Sequence, residues 1–132
     1  MNYWLLKTEP GTFSWEDLER DKKAVWDGVR NFQARNNLKA MKKGDQAFIY
    51  HSGDDKAVIG IAEIIKEAYP EPKDKDWIAV DLKPLKKLKS SVALGIIKKD
   101  KRLSQMVLVR NSRLSVQPVK KEEFDWVIEL SQ

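Results

Sequence analysis

The most constraining feature of the sequence is a pair of β-rich runs that flank a short polar loop. The runs extend from Gln46 to Ser52 and from Val58 to Ile65, with Gly53-Asp54-Asp55-Lys56 between them. This spacing predicts an antiparallel hairpin with a four-residue loop. Because a length of 132 residues is usual for one domain, we expect a single domain over residues 1–132 that is built on the sheet containing this hairpin.

Further strands are predicted on both sides of the hairpin. Period-two alternation and β-branched or aromatic residues identify four of them: Tyr3 to Lys7, Lys23 to Trp26, Trp77 to Leu82 and Leu114 to Val119. The acidic stretch from Glu67 to Asp76 is predicted as a surface loop, because Pro70 and Pro72 exclude a helix there.

Helices are predicted around this sheet. Ser14 and Asp17 have the spacing of a capping box, and Asn31 is placed to cap a helix from about Phe32 to Met41 that Gly44 ends. Two more helices are expected, one at Val92 to Ile97 and one carrying Phe124, Val127 and Ile128 at helical spacing. The predicted fold class is therefore α+β, with a small, strongly curved and mostly antiparallel sheet or barrel and peripheral helices.

Positive charge is concentrated in one segment. The chain has a net charge of +5, and residues 83–102 alone carry eight basic residues against Asp100, a local balance of +7. Such a segment predicts contact with a polyanion, although a solvated lysine-rich face explains the pattern equally well. The candidates for phosphate contacts are Lys86, Lys87, Lys89, Lys98, Lys99, Lys101 and Arg102.

Composition excludes several kinds of site. The chain has no cysteine and one histidine, His51, so neither a thiol nucleophile nor a Cys- or His-rich metal site can be assembled. No glycine-rich phosphate loop occurs, and no apolar run approaches the roughly 20 residues of a membrane helix. We therefore expect no metal, no cofactor, no membrane partner and a cytoplasmic location.

The segment Trp26-Asp27-Gly28-Val29-Arg30-Asn31 combines groups that suit a nucleobase. A tryptophan at a strand end offers a stacking face, Gly28 lets the backbone approach a ligand, and Arg30 with Asn31 places donors at a helix start. A buried core tryptophan before an ordinary turn is the simpler explanation of Trp26 taken alone. The combination favours a base-binding site.

A second polar cluster, Tyr50-His51-Ser52, ends the first strand of the predicted hairpin. Alternation sends Tyr50 and Ser52 to one face and His51 to the other. Leaving such groups buried and unpaired costs about 1–3 kcal/mol, so each is either paired within the protein or offered to a ligand. For His51 a structural role is favoured over a catalytic one, because no nucleophile is assigned to it.

Four segments in a specific order and spacing connect these clusters to a known family: Tyr3 to Pro10, Trp26 to Asn36, Tyr50 to Ser52 and Arg113 to Val119. With them the chain resembles an EVE domain of the PUA-like superfamily over nearly its whole length. The resemblance implies a distorted β-barrel with helices around it, and a relationship to YTH domains, which hold a methylated adenine in an aromatic cage. EVE domains fused to restriction enzymes recognise modified cytosines.

The resemblance also implies a pocket and roles for its residues. Trp26 would stack on the base, while Asn31 and the nearby backbone of residues 27–29 would contact the base edge. The implied pocket consists of Lys7 and Thr8 as floor, Trp26, Asp27, Gly28, Val29, Arg30 and Asn31, a wall of Tyr50, His51 and Ser52, and Arg113, with Ser115 and Gln117 as weaker candidates. The loop at residues 70–76 is shorter than in many family members, so Tyr69 and Trp77 are the nearest aromatic residues for a cage wall.

The function expected from these observations is non-catalytic recognition of a modified or flipped-out base, either a modified cytosine or a methylated purine. The partner would be DNA or RNA, single-stranded or with an extruded base, and the protein would act as a monomer. Two alternatives stay open. One is a binder of, or enzyme acting on, a free modified nucleotide, with Asp27 and His51 as acid-base candidates. The other is a scaffold for protein interactions.

Overall fold

The computed structural model describes residues 1–132. Its strands are β1 (Tyr3–Thr8), β2 (Ala24–Trp26), β3 (Gln46–His51), β4 (Ala57–Pro70), β5 (Ile78–Ala93) and β6 (Val116–Val119). They form one six-stranded sheet in the order β2-β5-β4-β3-β1-β6. The pairing of β1 with β3 is parallel and the other four pairings are antiparallel. The α+β class and the mostly antiparallel sheet are confirmed, but the sheet is open, with β2 and β6 as its edges, and no closed barrel forms.

Helices cover both faces of the sheet. They are α1 (Trp15–Asp21), α2 (Phe32–Ala40), α3 (Leu94–Lys99), a 3₁₀ turn (Lys101–Leu103), α4 (Val107–Arg110) and α5 (Lys121–Leu130). Strand alternation divides the apolar residues into two cores: Leu6 lies in a core with α1 and α2, and Leu5 lies in a core with α3 and α5. None of the helices is long and apolar enough to cross a membrane.

The helix starts follow their sequence signals. The hydroxyl of Ser14 accepts a hydrogen bond from the backbone N–H of Asp17 at 3.1 Å, and the Asp17 carboxylate accepts one from the Ser14 N–H at 2.9 Å. Asn31 caps α2 by accepting from the N–H of Ala34 at 2.9 Å. These closed local rings satisfy backbone donors that would otherwise be orphaned, which is why both predicted caps are confirmed.

The neighbouring strands β4 and β5 are longer than predicted. β4 continues to Pro70, and β5 continues to Ala93 through the lysine-rich segment, where Lys86 pairs with Ile61 and Lys87 with Gly60. Charge concealed this strand, because its lysines stay in water while Leu88 and Val92 are buried. The pairing of β4 with β5 shifts register at four points, and such bulges bend and twist a sheet.

Other boundaries differ by smaller amounts. The helix predicted at 92–97 is displaced to Leu94–Lys99, because residues 92 and 93 still belong to β5. The last strand begins at Val116 rather than Leu114. The 3₁₀ turn and α4 were not predicted at all, since neither carries an amphipathic repeat long enough to recognise.

Candidate nucleic-acid interface

A cavity of about 410 Å³ opens where the ends of β1 and β2 meet. Three parts of the chain line it: the end of β1 with the loop after it, residues 24–30, and Ser115. The volume falls within the range of roughly 300–1,000 Å³ that is usual for small-molecule sites. Apolar and polar groups both face this space, which is the composition expected of a site that orients a planar ligand.

Trp26 forms part of the cavity wall and part of the core at once. Its side chain is largely buried, with 8% of the residue exposed, and it belongs to the core that contains α1 and α2. The ring of Phe13 meets it edge to face, with centroids 6.0 Å apart and planes at 80°. Trp26 is therefore both a core residue and a candidate stacking ring, because packing in the core holds the ring that lines the cavity.

The turn after Trp26 is held by a buried carboxylate. Glu71 is only 2% exposed, and its oxygens accept hydrogen bonds from both terminal nitrogens of Arg30 at 2.8 and 2.9 Å and from the N–H of Gly28 at 2.9 Å. These bonds from Arg30 hold the pKa of Glu71 below its usual value. Gly28 has a φ of 78°, a backbone conformation that glycine adopts without strain. The result is a fixed turn beside the cavity.

This turn leaves backbone donors free. The N–H groups of Asp27, Val29 and Arg30 donate no hydrogen bond within the protein, and all three residues line the cavity. Backbone N–H groups are obligatory donors that need water or a ligand as partner. The turn can therefore supply donors to a ligand edge without rearranging.

The predicted floor residues do line the cavity. Thr8 donates its hydroxyl hydrogen to the carbonyl of Phe13 at 2.6 Å, which ties the end of β1 to the loop before α1. Lys7 donates to the carbonyl of Ser112, and its Nζ lies 5.6 Å from the ring centroid of Tyr50. Partial burial lowers the pKa of Lys7. Lys7 thus lines the cavity, while its ammonium lies against Tyr50 and Ser112.

The predicted wall of Tyr50, His51 and Ser52 does not line the cavity. Tyr50 is buried in the opposite core, with α3 and α5, and burial raises its pKa. His51 is buried with both ring nitrogens occupied: Nε2 accepts from the N–H of Trp15 at 3.0 Å, and Nδ1 pairs with Asp55 at 3.0 Å. Ser52 contacts the end of β1 instead, where its hydroxyl donates to the Thr8 carbonyl at 3.2 Å.

Two other candidates lie outside the lining residues. The Asn31 side-chain oxygen is engaged as the cap of α2, so its contribution is to position the helix start beside the cavity. Arg113 is exposed and forms no ion pair, on the turn between Ser112 and Ser115. Since Ser115 lines the cavity and Ser112 accepts from Lys7, this turn lies at the cavity rim.

None of the seven basic candidates lines the cavity. They are all exposed, and the buried residues between them, Leu88, Val92, Ile97 and Leu103, pack in the core on the other face of the sheet. Two of the seven already have partners: Lys87 lies 3.7 Å from Glu16, and the Arg102 guanidinium lies 4.1 Å from the Trp126 ring centroid. The structure therefore separates the basic segment from the base-sized cavity.

Sequence reasoning missed Glu71 and the loop residues Glu9, Thr12 and Phe13, of which the last three line the cavity. Glu71 lies in the acidic stretch that the sequence predicts as a surface loop. The only local sign that the backbone is fixed at Glu71 is that it stands between Pro70 and Pro72. No three His, Cys, Asp or Glu side chains come together in a way that could hold a metal ion.

The whole chain is similar to a known domain. A family model described as the EVE domain matches residues 2–130. The chain belongs to the EVE domain family. Mouse thymocyte nuclear protein 1 is 38% identical to this EVE domain over 167 aligned positions, which cover 99% of this chain and 74% of the mouse protein.

Solved structures show the same similarity. The NMR structure of Rpa0253 from Rhodopseudomonas palustris is 44% identical to this EVE domain with a TM-score of 0.95, covering 99% of this chain and 93% of that one. A crystal structure of the human THYN1 protein in complex with DNA that contains 5-methylcytosine is 35% identical with a TM-score of 0.91, covering 100% and 98%. The family expected from the sequence is confirmed.

Proposed function

We propose that this EVE domain is a non-catalytic nucleic-acid-binding module that holds one modified or extruded base in the cavity against Trp26. The observation that carries the proposal is the cavity itself, where an aromatic ring, free backbone donors and Arg30 border a space of about 410 Å³. A nucleobase needs a stacking face and partners for its edge, and these groups supply both. The relative in complex with 5-methylcytosine DNA makes a modified cytosine the first base to test, before methylated purines.

Each side of the cavity has a part in this proposal. Trp26 stacks on the base, and the N–H groups of Asp27, Val29 and Arg30 bond its edge. Thr8 and Lys7 form the floor. Tyr50, His51, Ser52 and Asn31 act indirectly, because they fix β3, the end of β1 and the start of α2.

Binding energetics favour strands whose base is already unpaired. Stacking on one aromatic side chain contributes about 1–3 kcal/mol, whereas flipping a base out of a duplex costs a few kcal/mol. The stacking free energy from one cavity therefore does little more than offset the free-energy cost of flipping the base. We expect a monomeric protein that prefers single-stranded or mismatched sites, unless phosphate contacts add affinity.

A second candidate function is binding of, or catalysis on, a free modified nucleotide. Glu9 and Asp27 both line the cavity, and because the Glu9 carboxylate lies against Ser52 and Gly53, Asp27 is the acid-base candidate there. His51 cannot serve as its partner, because it is buried and both ring nitrogens are engaged within the protein. This candidate predicts affinity that is insensitive to salt and a product that accumulates with time.

Salt dependence separates the two candidates. We expect a single strand with one 5-methylcytosine to bind about twenty-fold more weakly at 200 mM than at 50 mM salt if three phosphates are neutralised. The free nucleoside should lose almost no affinity over the same range. Titrations followed by intrinsic tryptophan fluorescence measure both, and product analysis after incubation reports turnover.

The variant with Lys98, Lys99 and Lys101 changed to glutamine is the matched test of the basic segment. If these lysines meet phosphate, the salt slope falls by about one for each phosphate that the variant no longer neutralises. An unchanged slope would assign the phosphate contacts to residues nearer the rim, such as Arg113. A wild-type protein that binds nucleoside and strand equally at both salt concentrations would contradict the nucleic-acid function.

A further inference from the structure

An aromatic and arginine cluster lies on the surface beside the cavity, where α2 begins. Phe32 is 65% exposed, and its ring stacks on Trp77 with centroids 5.2 Å apart and planes at 25°. The guanidinium of Arg30 lies 5.3 Å from the Trp77 ring centroid, and that of Arg35 lies 4.9 Å from the Phe32 ring and 5.5 Å from the Trp77 ring. We call these four residues the platform.

The platform contributes little to the fold. Phe32 belongs to neither hydrophobic core, and it is the only aromatic residue among the large apolar side chains that are exposed. Isolated exposed apolar residues are ordinary, but here two rings and two guanidinium groups are stacked together. Such an arrangement presents a flat π-face to solvent.

The platform is also rigid. Arg30 is fixed by Glu71, Arg35 donates to the Asp76 carbonyl at 2.9 Å, and the backbone N–H of Trp77 donates to the Asp74 carbonyl at 3.0 Å. Preformed contact surfaces lose less conformational entropy when a ligand binds. The Nε of Arg35 is buried without a hydrogen-bond partner, so this guanidinium keeps unused donor capacity.

Arg30 joins the platform to the cavity. It lines the cavity and at the same time lies against Trp77, so the platform begins where the cavity rim ends. The nearby loop exposes Lys73 and Lys75 as well as Asp74 and Asp76, so its charges balance. The feature that suits this surface to a base is therefore the exposed ring of Phe32.

We propose that the platform stacks the unpaired base next to the one held in the cavity. This inference rests on the proposed function, since it assumes a strand whose target base occupies the cavity. Stacking on Phe32 tolerates any base, because every base has a π-face. The platform would add affinity for a strand over a nucleoside and leave the choice of modified base to the cavity.

The test compares Phe32→Ala with Ile96→Ala, a matched control that removes an exposed apolar side chain from α3 on the other face. The ligands are a five-nucleotide strand with a central 5-methylcytosine, the same strand with abasic residues on the 5′, the 3′ or both sides of it, and the free nucleoside. We expect Phe32→Ala to weaken the intact strand about 5- to 150-fold. It should leave nucleoside affinity unchanged, and Phe32→Tyr should bind like the wild type.

The abasic strands locate the effect. If the platform holds a neighbouring base, the loss caused by Phe32→Ala disappears when one particular neighbour is abasic. The inference would be overturned if Phe32→Ala still weakened binding when both neighbours are abasic. It would also be overturned if Phe32→Ala bound the intact strand as tightly as Ile96→Ala does. A wild-type protein that binds neither a 5-methylcytosine nor a methylated-purine strand better than the unmodified strand, and whose affinity does not depend on Trp26, would instead contradict the proposed function, and a Phe32-dependent preference for strand over nucleoside would still support the platform.

Discussion

Replacing Trp26 by alanine is expected to weaken the binding of a 5-methylcytosine strand by about 5- to 150-fold and to remove its preference over the cytosine strand. The substitution removes the larger of the two aromatic rings that line the cavity, Trp26 and Phe13. Because Trp26 is largely buried, the same change should lower the free energy of unfolding by about 3–5 kcal/mol. Affinity is therefore measured by calorimetric titration at a temperature where circular dichroism shows the variant to be folded.

A second variant distinguishes loss of base binding from loss of folding. Trp26→Leu retains apolar bulk in the core and lacks a π-face, so it should fold and still lose the preference for the modified strand. Trp126→Ala is the control, because Trp126 is a partly buried residue of α5 that packs on the other face of the sheet. A folded Trp26→Leu protein that distinguishes the two strands as the wild type does would show that the base is held elsewhere.

Changing Glu71 to glutamine is expected to lower the free energy of unfolding by about 1–3 kcal/mol and to weaken base binding by about tenfold. The carboxylate is buried and accepts three hydrogen bonds, two from Arg30 and one from Gly28, and these bonds position the turn that lines the cavity. Arg30 is half exposed and can be rehydrated, so the loss stays below that of a fully buried broken pair. Urea unfolding and strand titration measure the two effects.

The ion pair of Glu71 with Arg30 also predicts that the free energy of unfolding depends on pH. The folded pKa of Glu71 lies below its ordinary value of 4.5, so its stabilising contribution is fully present above the unfolded pKa and is lost as pH falls through the folded one. The stability difference between wild type and Glu71→Gln should therefore be constant near neutral pH and shrink on acidification below that value. Glu67→Gln, on an exposed residue of β4, is the control. A difference that does not change with pH would mean that the Glu71 charge does not stabilise the turn.

Local signals made part of this structure predictable. The Ser14 and Asn31 caps and the antiparallel hairpin depend on residues within a few positions of each other, so the sequence contains the whole interaction. The hairpin loop has five residues, 52–56, and not the four that were expected, because β3 ends at His51 and β4 begins at Ala57. The basic half of β5 could not be recognised in the same way. Its pairing with β4 is supplied by the tertiary fold, which overrides the low strand propensity of lysine.

The cavity was only partly predictable for a similar reason. Trp26, Gly28 and Arg30 form one contiguous segment, whereas Glu71 is 41 residues from Arg30 in sequence and only the fold brings the two together. Tyr50 was misplaced because β3 is buried on both faces, so alternation separates its side chains without indicating which face meets the cavity. Positions that depend on strand order cannot be deduced from periodicity alone.

The central claim, that a modified base occupies the cavity against Trp26, is tested most directly by NMR of the indole N–H groups. The chain has five tryptophans, so each indole resonance can be assigned from a single Trp→Phe variant. On titration with a 5-methylcytosine strand and with the free nucleoside, the Trp26 resonance should shift with both ligands, and Trp126 should not move. A saturating titration that shifts another indole and leaves Trp26 unchanged would contradict the assignment of the cavity as the base-binding site.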